Sequence, residues 1–475
     1  MNLAKNLDEN KRILKERLAI EQSFDIIGRD WNIGDLNAYL VLIDGFAKDQ
    51  IMLFILEELQ NVKKENLSAD TLQKLIQNHI AYIEVDQFDT FEAMETSVLS
   101  GAIALFIDGE NKGIIIDARE YPVRGPQEPD LEKVTRGSRD GLVETIVFNT
   151  ALIRRRLRDP KLIFELTNVG KQSRTDVAIG YIDNVVDHKL LGELKKKLEE
   201  IDVNALIMAE KTLEELLIKK KWYNPLPQAR FTERPDVVAA HLLEGHIAII
   251  VDTSPSVMLL PVTIFHFSQH AEDYYQNPMV GTYLRWIRFL AIFSSLLITP
   301  LWLLLVYNQD FLPAWLQFIG PKETASIPIF IQFIILEFGI DFLRIASIHT
   351  PNALSTSIGI IGGLLLGDLA VKVGWFVPET ILYMAIAGMS TFATPSVEFG
   401  MAIRIFRLFL LLLTGMFRNI GFIIGIIIIS TVIFTTKAFG NQSYLWPLFP
   451  FDKKAFSNMF FRKPIPEIGK NKRPK

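Results

Sequence analysis

The sequence predicts an α/β soluble region of two related subdomains, followed by an all-α polytopic transmembrane domain. Three observations support this division: the length, the distribution of charge, and a series of long apolar segments. The chain has 475 residues, more than one domain usually contains. Residues 281–475 hold 17 Lys and Arg against 9 Asp and Glu, whereas residues 1–280 hold 33 against 45. The first part is therefore acidic, and the second is basic and sparsely charged.

Five apolar segments predict the membrane domain. The first, residues 289–309, has 21 consecutive residues without a charge, and such a helix can cross about 30 Å of hydrocarbon. Four more segments lie at residues 324–336, 345–367, 380–397 and 408–436. The last could be one long tilted helix or a hairpin that turns at Arg418 and Asn419. The alternative is a soluble protein with buried core helices, but five such segments favour a membrane protein with four to six spans.

The changes in composition also predict the domain boundaries. We expect a first subdomain at residues 1–118, a linker with a basic helix at 119–160, a second subdomain at 161–280, transmembrane helices at 281–440 and a basic tail at 441–475. Residues 452–475 carry eight Lys and Arg against two acids, so the positive-inside rule assigns the tail to the cytoplasm. The start of the chain resembles no secretory signal, which assigns the soluble region to the same side. Both termini inside imply an even number of spans.

An internal repeat predicts that the two soluble subdomains are related. Residues 38–59 and 177–198 each read as a short strand, a turn and an amphipathic helix. Residues 101–108 and 245–252 form a second matching pair, and the two offsets are 139 and 144 residues. Chance similarity of apolar strands is the alternative, but two collinear matches with similar offsets favour duplication.

A dense basic cluster lies near the end of the predicted linker. It consists of Arg154, Arg155, Arg156 and Arg158. A site for phosphate or anionic lipid is one interpretation. We favour the other, a solvated helix face that pairs with acidic neighbours in an acidic region.

Motifs for catalysis are missing from the sequence. It contains no Walker loop, GxGxxG fingerprint, HExxH or GxSxG. The absence of cysteine excludes disulfides and cysteine-ligated metal sites. His266 and His270, followed by Glu272 and Asp273, have a spacing that resembles a metal pair, but they precede a membrane segment, where such residues are ordinary. We therefore predict neither an enzyme nor a metal or cofactor site, and the acidic first part argues against nucleic-acid binding.

Polar residues within the membrane segments are candidates for a pore or for coupling. Glu337, Asp341 and Arg344 are spaced to share one helix face. Asp368 and Lys372 are four residues apart and could pair with each other. Charged groups in a bilayer usually face a bundle interior or water. We expect this of the three acids, whereas Arg344 and Lys372 could equally extend to the interface.

The segment between these two groups is rich in small residues. Gly359, Gly363 and Gly367 recur every four residues, a pattern that allows close helix packing. The segment also carries polar side chains at Ser355, Thr356 and Ser357. It is therefore a helix–helix seam, a pore-lining helix, or both.

Long collinear blocks of the sequence resemble one known family. They include RGSRDGLVETIVFNTALIRRRLRDPKL, GKQSRTDVAIGYIDNVVD, NPLPQARFTERPDVVAAHLLEGHIAIIVD and EDYYQNP. Over residues 22–450 the chain is similar to the A subunits of GerA-type spore germination receptors. Within that family, HTPNALSTSIGIIGGLLLGDLAVKVGWF is most similar to the stage V sporulation protein AF branch.

The resemblance implies a place and a role. It implies a multi-pass protein of the endospore inner membrane, with the soluble domain facing the core. It also implies A-type subunits that form an oligomeric ion channel, act early in germination and need partner membrane proteins. We hypothesise a subunit that forms or gates such a channel. A secondary transporter with a cytoplasmic regulatory domain and a non-conducting membrane scaffold are the alternatives.

Overall fold

A computed structural model describes residues 1–34, 36–46, 49–62, 71–80, 84–118, 132–349, 362–363, 367 and 369–464. Within these residues the chain forms two compact units. The first contains Met1–Lys219 and Ala229–Pro261, and the second contains Lys220–Gln228 and the residues from Val262 onward. The first unit combines sheets and helices, and the second is helical. The predicted α/β region followed by an all-α region is therefore confirmed.

Among the described residues, each half of the first unit has the same nine elements, in the order helix, two strands, two helices, strand, helix, two strands. In the first half they are α1 (Leu7–Leu18), β1 (Ile26–Ile33), β2 (Leu36–Ile43), α2 (Asp49–Gln60), α3 (Thr71–Asn78), β3 (Val85–Phe88), α4 (Phe91–Leu99), β4 (Ile103–Ile107) and β5 (Gly113–Ile116). In the second half they are α5 (Ile146–Arg156), β6 (Leu162–Val169), β7 (Thr175–Ile182), α6 (His188–Glu199), α7 (Ala209–Leu217), β8 (Arg230–Thr232), α8 (Pro235–Leu243), β9 (Ile247–Val251) and β10 (Val257–Leu260).

The two halves also share one sheet topology. The strand orders are β1-β2-β4-β5-β3 and β6-β7-β9-β10-β8, and the neighbouring strands are antiparallel in both sheets. β2 and β7 start at residues 36 and 175, and β5 and β10 start at residues 113 and 257. The corresponding offsets are 139 and 144, as in the sequence repeat. The two related subdomains predicted from the sequence are therefore confirmed.

An asparagine clamp occurs in the first helix of each half. Asn10 accepts a hydrogen bond from Ala4 N at 2.9 Å and donates one to Ala4 O at 2.7 Å. Asn149, 139 residues later, makes the same two bonds with Val143 at 2.7 and 2.6 Å. Both asparagines are buried. Because an unsatisfied buried backbone group is costly, the clamp fixes how the chain enters each helix.

Aspartates at strand ends cap the same two helices. Asp108, after β4, accepts from Leu7 N at 3.1 Å, and Asp252, after β9, accepts from Ile146 N at 3.1 Å. A carboxylate at a helix N-terminus is stabilised by the free N–H groups and by the helix dipole. The recurrence of these aspartates therefore has a structural explanation.

Helix α5 packs between the two sheets of the first unit. Ala151 lies in the core of the first subdomain with Phe46, whereas Leu152 and Ile153 lie in the core of the second with Phe164. The sequence places this helix in the predicted linker. In the structure it occupies the place in the second subdomain that α1 has in the first. The exact domain boundaries stay a prediction.

The second unit contains the apolar helices. In chain order, the helices of this unit are α9 (Glu272–Tyr275), α10 (Pro278–Tyr307), α11 (Ile329–His349), α12 (Ala370–Lys372), α13 (Pro378–Phe392), α14 (Val397–Thr435) and α15 (Lys453–Phe460). Short 3₁₀ helices lie at Ile264–Ser268, Gln309–Phe311, Ala314–Ile319 and Phe439–Asn441. Prolines at the first positions of α10 and α13 start these helices, because proline lacks the N–H that a first turn leaves unused.

Helix α14 is interrupted at Arg418, where the backbone has φ 53° and ψ −128°. The residues after this point fold back onto those before it. A Cβ built on Gly421 would lie 1.9 Å from Leu413 O, and one built on Gly425 would lie 2.5 Å from Leu410 Cδ1. A straight helix would separate Leu410 and Gly425 by about 22 Å. Of the two sequence-based alternatives, the structure therefore contains the hairpin.

Two helices among the described residues are long and apolar enough to cross a membrane, α10 and the interrupted α14. Large apolar side chains lie exposed along both of them, including Leu290 and Phe293 on α10 and Ile423 and Ile427 on α14. Exposed apolar surface of this extent is typical of contact with lipid or with another protein. Length and composition alone leave the predicted four to six spans untested.

Candidate functional site

Charged side chains meet at the centre of the helical unit. Glu337 of α11 and Arg407 of α14 form a bidentate ion pair, with Arg407 Nε at 2.5 Å from Glu337 Oε1 and Nη2 at 3.0 Å from Oε2. Both side chains are at most 3% exposed. Each residue lies near the middle of its helical segment, so the pair is about equally far from the two ends of the helices.

The remaining guanidinium nitrogen of Arg407 points towards α10 and α13. Nη1 donates to Ser295 O at 2.8 Å and to Ser295 Oγ at 3.2 Å. It also lies within hydrogen-bonding distance of Ala387 O and Thr391 Oγ1, at 3.4 and 3.3 Å. The residues of α10 and α13 that contact Arg407 are small, which lets four helices approach one arginine. Arg407 therefore links α10, α11, α13 and α14.

A second arginine extends the cluster towards the surface of the unit. Arg404 donates to the backbone oxygen of Glu337 at 2.8 Å, and its Nη1 lies 2.7 Å from Asp341 Oδ1. Arg404 is buried, but the Asp341 side chain is 36% exposed. The two acids and two arginines thus form a row from the centre of the unit to one side of α11.

The charges of this cluster balance. Two carboxylates face two guanidinium groups, and Arg407 also satisfies backbone and hydroxyl oxygens. Removing one partner of such a buried pair leaves an uncompensated charge, which costs about 3–5 kcal/mol. The cluster therefore holds the four helices in one arrangement, and a change in the charge of any member would disturb it.

The other polar residues predicted in the membrane segments are placed as follows. Arg344 is half-buried, and its guanidinium contacts the Met401 sulfur. Lys372 is exposed in α12. Ser355, Thr356, Ser357, Gly359 and Asp368 lie outside the described residues, so the predicted pair of Asp368 with Lys372 cannot be located. A role for any of these residues in a pore or in coupling stays a prediction.

The predicted glycine seam also falls partly on described residues. No described atom lies within 4 Å of a Cβ built at Gly363 or Gly367. A Cβ on the neighbouring Gly362 would lie 2.2 Å from Leu343 Cδ2. Within the described part of the chain, close packing therefore occurs one position away from the predicted face.

The arginines that pair with Glu337 are not among the site residues predicted from the sequence. Arg404 and Arg407 precede the apolar segment that begins at residue 408 and lie outside the five predicted segments. Their spacing of three residues on one helix matches the four-residue spacing of Glu337 and Asp341 on another. The two acids lie one turn apart on one apolar helix, and the two arginines lie one turn apart on another. This pattern could have predicted that the acids and the arginines pair.

A second buried ion-pair cluster lies at the start of α10. Asp273 is fully buried and pairs with Arg285 and Arg288; Arg285 Nε lies 3.2 Å and Arg288 Nη1 3.0 Å from Asp273 Oδ2. Arg285 also donates to Asn458 O at 2.8 Å, which attaches α15 to α10. The Asp273 carboxylate, a member of the sequence pattern that resembles a metal pair, thus serves two arginines. His266 instead accepts from Thr263 N at 2.9 Å.

In the first unit, the predicted basic cluster divides between core and surface. Arg154 is fully buried and forms a bidentate pair with Asp25, with Nε–Oδ2 2.9 Å and Nη2–Oδ1 3.1 Å. Arg156 pairs with Asp140 at 2.6 Å and is partly exposed, as a solvated face predicts. Arg155 and Arg158 are exposed.

The expectation of a solvated face is therefore wrong for Arg154. Its guanidinium also donates to Leu162 O at 2.9 Å, and Ser23 Oγ accepts from Phe164 N at 2.9 Å in the same buried network. Ser23 and Asp25 precede β1, whereas Leu162 and Phe164 belong to β6. The arginine is buried because it joins the two subdomains.

Comparison with known proteins assigns the chain to a family. The model of the Bacillus/Clostridium GerA spore germination protein family matches residues 12–475. The chain belongs to this family. The description of the GerA family names spore germination and no catalytic activity.

Individual relatives of this GerA family chain agree with the assignment. Stage V sporulation protein AF of Bacillus subtilis (strain 168) is 42% identical over 462 residues, which cover 97% of this chain and 93% of the relative. The uncharacterized membrane protein YfkQ of the same organism is 30% identical over 472 residues, with coverage of 97% and 90%. The resemblance to the GerA family and to the stage V sporulation protein AF branch is confirmed.

One solved structure is also similar. It is the crystal structure of the N-terminal domain of the A subunit of the Bacillus megaterium spore germinant receptor GerK3. That domain is 29% identical to this chain, with a TM-score of 0.44, and the match covers 55% of this chain and 96% of the domain.

Proposed function

We propose that this GerA family protein is an integral membrane subunit of a spore germination complex that forms or gates an oligomeric ion channel. The channel promotes ion release early in germination. The family assignment supports the germination role. The half-exposed Asp341 at the side of α11 is the observation that carries the channel role.

The position of Asp341 argues against a solitary chain in lipid. Asp341 lies twelve residues after the start of α11, about 18 Å along the helix, and its side chain is 36% exposed. A carboxylate at the centre of a bilayer costs about 2.5–3.5 kcal/mol on insertion scales. Facing water or a polar surface of another subunit removes this cost. A charged row that opens on one side of a helix therefore fits an oligomer with a polar interior.

We further propose that the protein is a multi-pass protein of the endospore inner membrane, with its soluble unit and C-terminus in the core. The ends of the helices support one direction of crossing. Asn308, after α10, hydrogen-bonds Asn419 at the hairpin turn at 2.7 Å, and Arg285, near the start of α10, bonds the backbone of α15. The helical unit thus begins and ends at the same end, as an even number of spans requires.

The proposed partners are further copies of this chain, other membrane proteins of the germination system and membrane lipid. The family assignment supports partners that act in germination. The basic tail and the exposed apolar helices support contact with lipid.

A secondary transporter remains the second candidate. Transporters of that kind commonly carry repeats within the membrane half. In this chain the duplicated unit is the soluble one, which favours a soluble module that regulates a channel. A non-conducting scaffold is the third candidate.

Bilayer recordings of the purified full chain test the channel role. We expect discrete conductance steps in planar bilayers, and we expect Asp341→Asn to change their amplitude or open fraction severalfold. Glu323→Gln, at an exposed acid of the loop before α11, is the matched control and should leave the recordings unchanged. Saturable, substrate-coupled flux without conductance steps would support the transporter, and no flux at all would support the scaffold.

A further inference from the structure

The segment Lys220–Gln228 is fixed to the end of the helical hairpin. Asn224 Nδ2 donates to Thr436 Oγ1 at 2.9 Å, and Gln228 Nε2 donates to Lys437 O at 2.7 Å. Leu226 is buried in the same apolar core as residues of α14. Because α14 ends at Thr435, this segment lies at the level where the apolar helices end.

The residues just before Asn224 are very exposed and unusual for a soluble surface. Trp222 is 97% exposed, and Tyr223 is 50% exposed. The Lys221 Nζ lies 5.8 Å from the centre of the Tyr223 ring. Trp222 is two residues from Asn224, so its Cα is within about 8 Å of the anchored asparagine. A large aromatic ring is thereby held in the open beside the helix ends.

The two chain segments that meet beside this ring carry basic residues and no acids. Lys219, Lys220 and Lys221 precede Trp222, and Lys437 lies beside Gln228. The sequence contains no Asp or Glu from residue 219 to 228, nor from 437 to 451. The second stretch is joined to the first, because Tyr444 OH donates to Pro227 O at 2.6 Å, and it exposes Phe449 and Phe451.

We propose that Lys220, Lys221, Trp222, Tyr223 and Lys437 form a lipid-binding collar that rests on an anionic membrane surface. The proposal rests on the membrane residence proposed above. Tryptophan and tyrosine favour the headgroup region of a bilayer. Lysines clustered beside the cytoplasmic end of a membrane helix attract anionic lipids. The collar combines both at the depth that the hairpin fixes.

The collar has a mechanical role in this proposal. Residues 220–228 connect two separate parts of the first unit, since Lys219 precedes them and Ala229 follows them. Lipid that holds Trp222 and Tyr223 at the surface therefore holds the connection as well. The collar thus couples the composition of the inner leaflet to the soluble unit.

The absence of cysteine from the chain makes the test direct. A single spin label at Tyr223→Cys in the purified full chain, in lipid nanodiscs, reports accessibility to a water-soluble relaxing agent. Ile207→Cys, at a loop residue that is 88% exposed, gives the value for water. Phe293→Cys, on the exposed apolar side of α10, gives the value for lipid.

We expect the Tyr223 label to be protected in nanodiscs that contain phosphatidylglycerol and less so in pure phosphatidylcholine. Each lysine near a negative surface changes the ratio of surface-bound to free segment by about fivefold. Lys220→Gln with Lys221→Gln should therefore lower this ratio by about 25-fold, and added salt should act in the same direction. Lys196→Gln with Lys197→Gln, on α6, is the matched control and should change nothing.

Three outcomes would overturn the proposal. If the Tyr223 label is as accessible as the Ile207 label while the Phe293 label is in lipid, only the collar is wrong. If the Phe293 label is also accessible to water, the membrane residence itself is wrong. If the Tyr223 label is protected equally in phosphatidylcholine and in detergent, another copy of the chain covers it instead of lipid.

Discussion

Removing the acid at the centre of the helical unit tests the role of the ion-pair cluster. In Glu337→Met, Arg407 keeps its bonds to Ser295 but loses both bonds of its bidentate pair. An uncompensated buried charge costs about 3–5 kcal/mol. Asp341 is half-exposed, so Asp341→Asn should cost about 1 kcal/mol or less. Replacing Glu337 is thus expected to cost severalfold more stability than replacing Asp341, although both acids lie on α11.

The assay is the free energy of unfolding in mixed micelles with increasing denaturing detergent. The double variant Glu337→Met with Arg407→Met completes a mutant cycle. It removes both charges, so it should be more stable than either single variant, because neither charge is left alone. The geometry described above would be contradicted if the double variant lost the sum of the two single-variant losses in unfolding free energy. It would also be contradicted if Asp341→Asn were as unstable as Glu337→Met.

Two further predictions concern other parts of the fold. Arg154→Ala leaves Asp25 buried without its partner and should destabilise the chain by about 3–5 kcal/mol in urea unfolding. Arg155→Ala, at the exposed neighbour, should change the free energy of unfolding by no more than about 0.5 kcal/mol. Equal effects of the two variants would contradict the buried pair. Gly421→Ala puts a Cβ 1.9 Å from a backbone oxygen. The hairpin should therefore open, and its amides should exchange faster with deuterium. The control Gly192→Ala, in open space on α6, should be neutral or stabilising by up to about 1 kcal/mol.

The architecture of the first unit was predictable from the sequence because a duplicated segment repeats the same pattern. Two copies of a strand, turn and helix at a constant offset are recognisable without contacts. At the offset of 139, α1 and the α5 region are identical at three positions, where Asn10, Arg17 and Leu18 correspond to Asn149, Arg156 and Leu157. This match is weaker than that of the strand segments, so the sequence alone did not reveal that the two helices are equivalent. The hydrogen bonds that show their equivalence involve the backbone groups of Ala4 and Val143. Every residue has such groups, so the residue types at these positions do not reveal the bonds.

The charge pairs were harder to predict, for a different reason. We predicted Glu337 in a polar interior, and in the structure its side chain is buried among charged groups. Its partner, Arg407, lies 70 residues away, and only the packing of the helices brings them together. Arg154 was misjudged because neighbouring arginines are exposed, and helical spacing alone does not identify the one that faces a second subdomain.

The distance along the chain between Glu337 and Arg407 also has a consequence for biosynthesis. At about 5–20 residues per second, a ribosome makes Arg407 about 4–14 s after Glu337. For the membrane residence proposed above, α11 meanwhile carries an unpaired acid, which costs about 2.5–3.5 kcal/mol in lipid. This helix is therefore less stable in lipid until α14 has been made and the two helices meet.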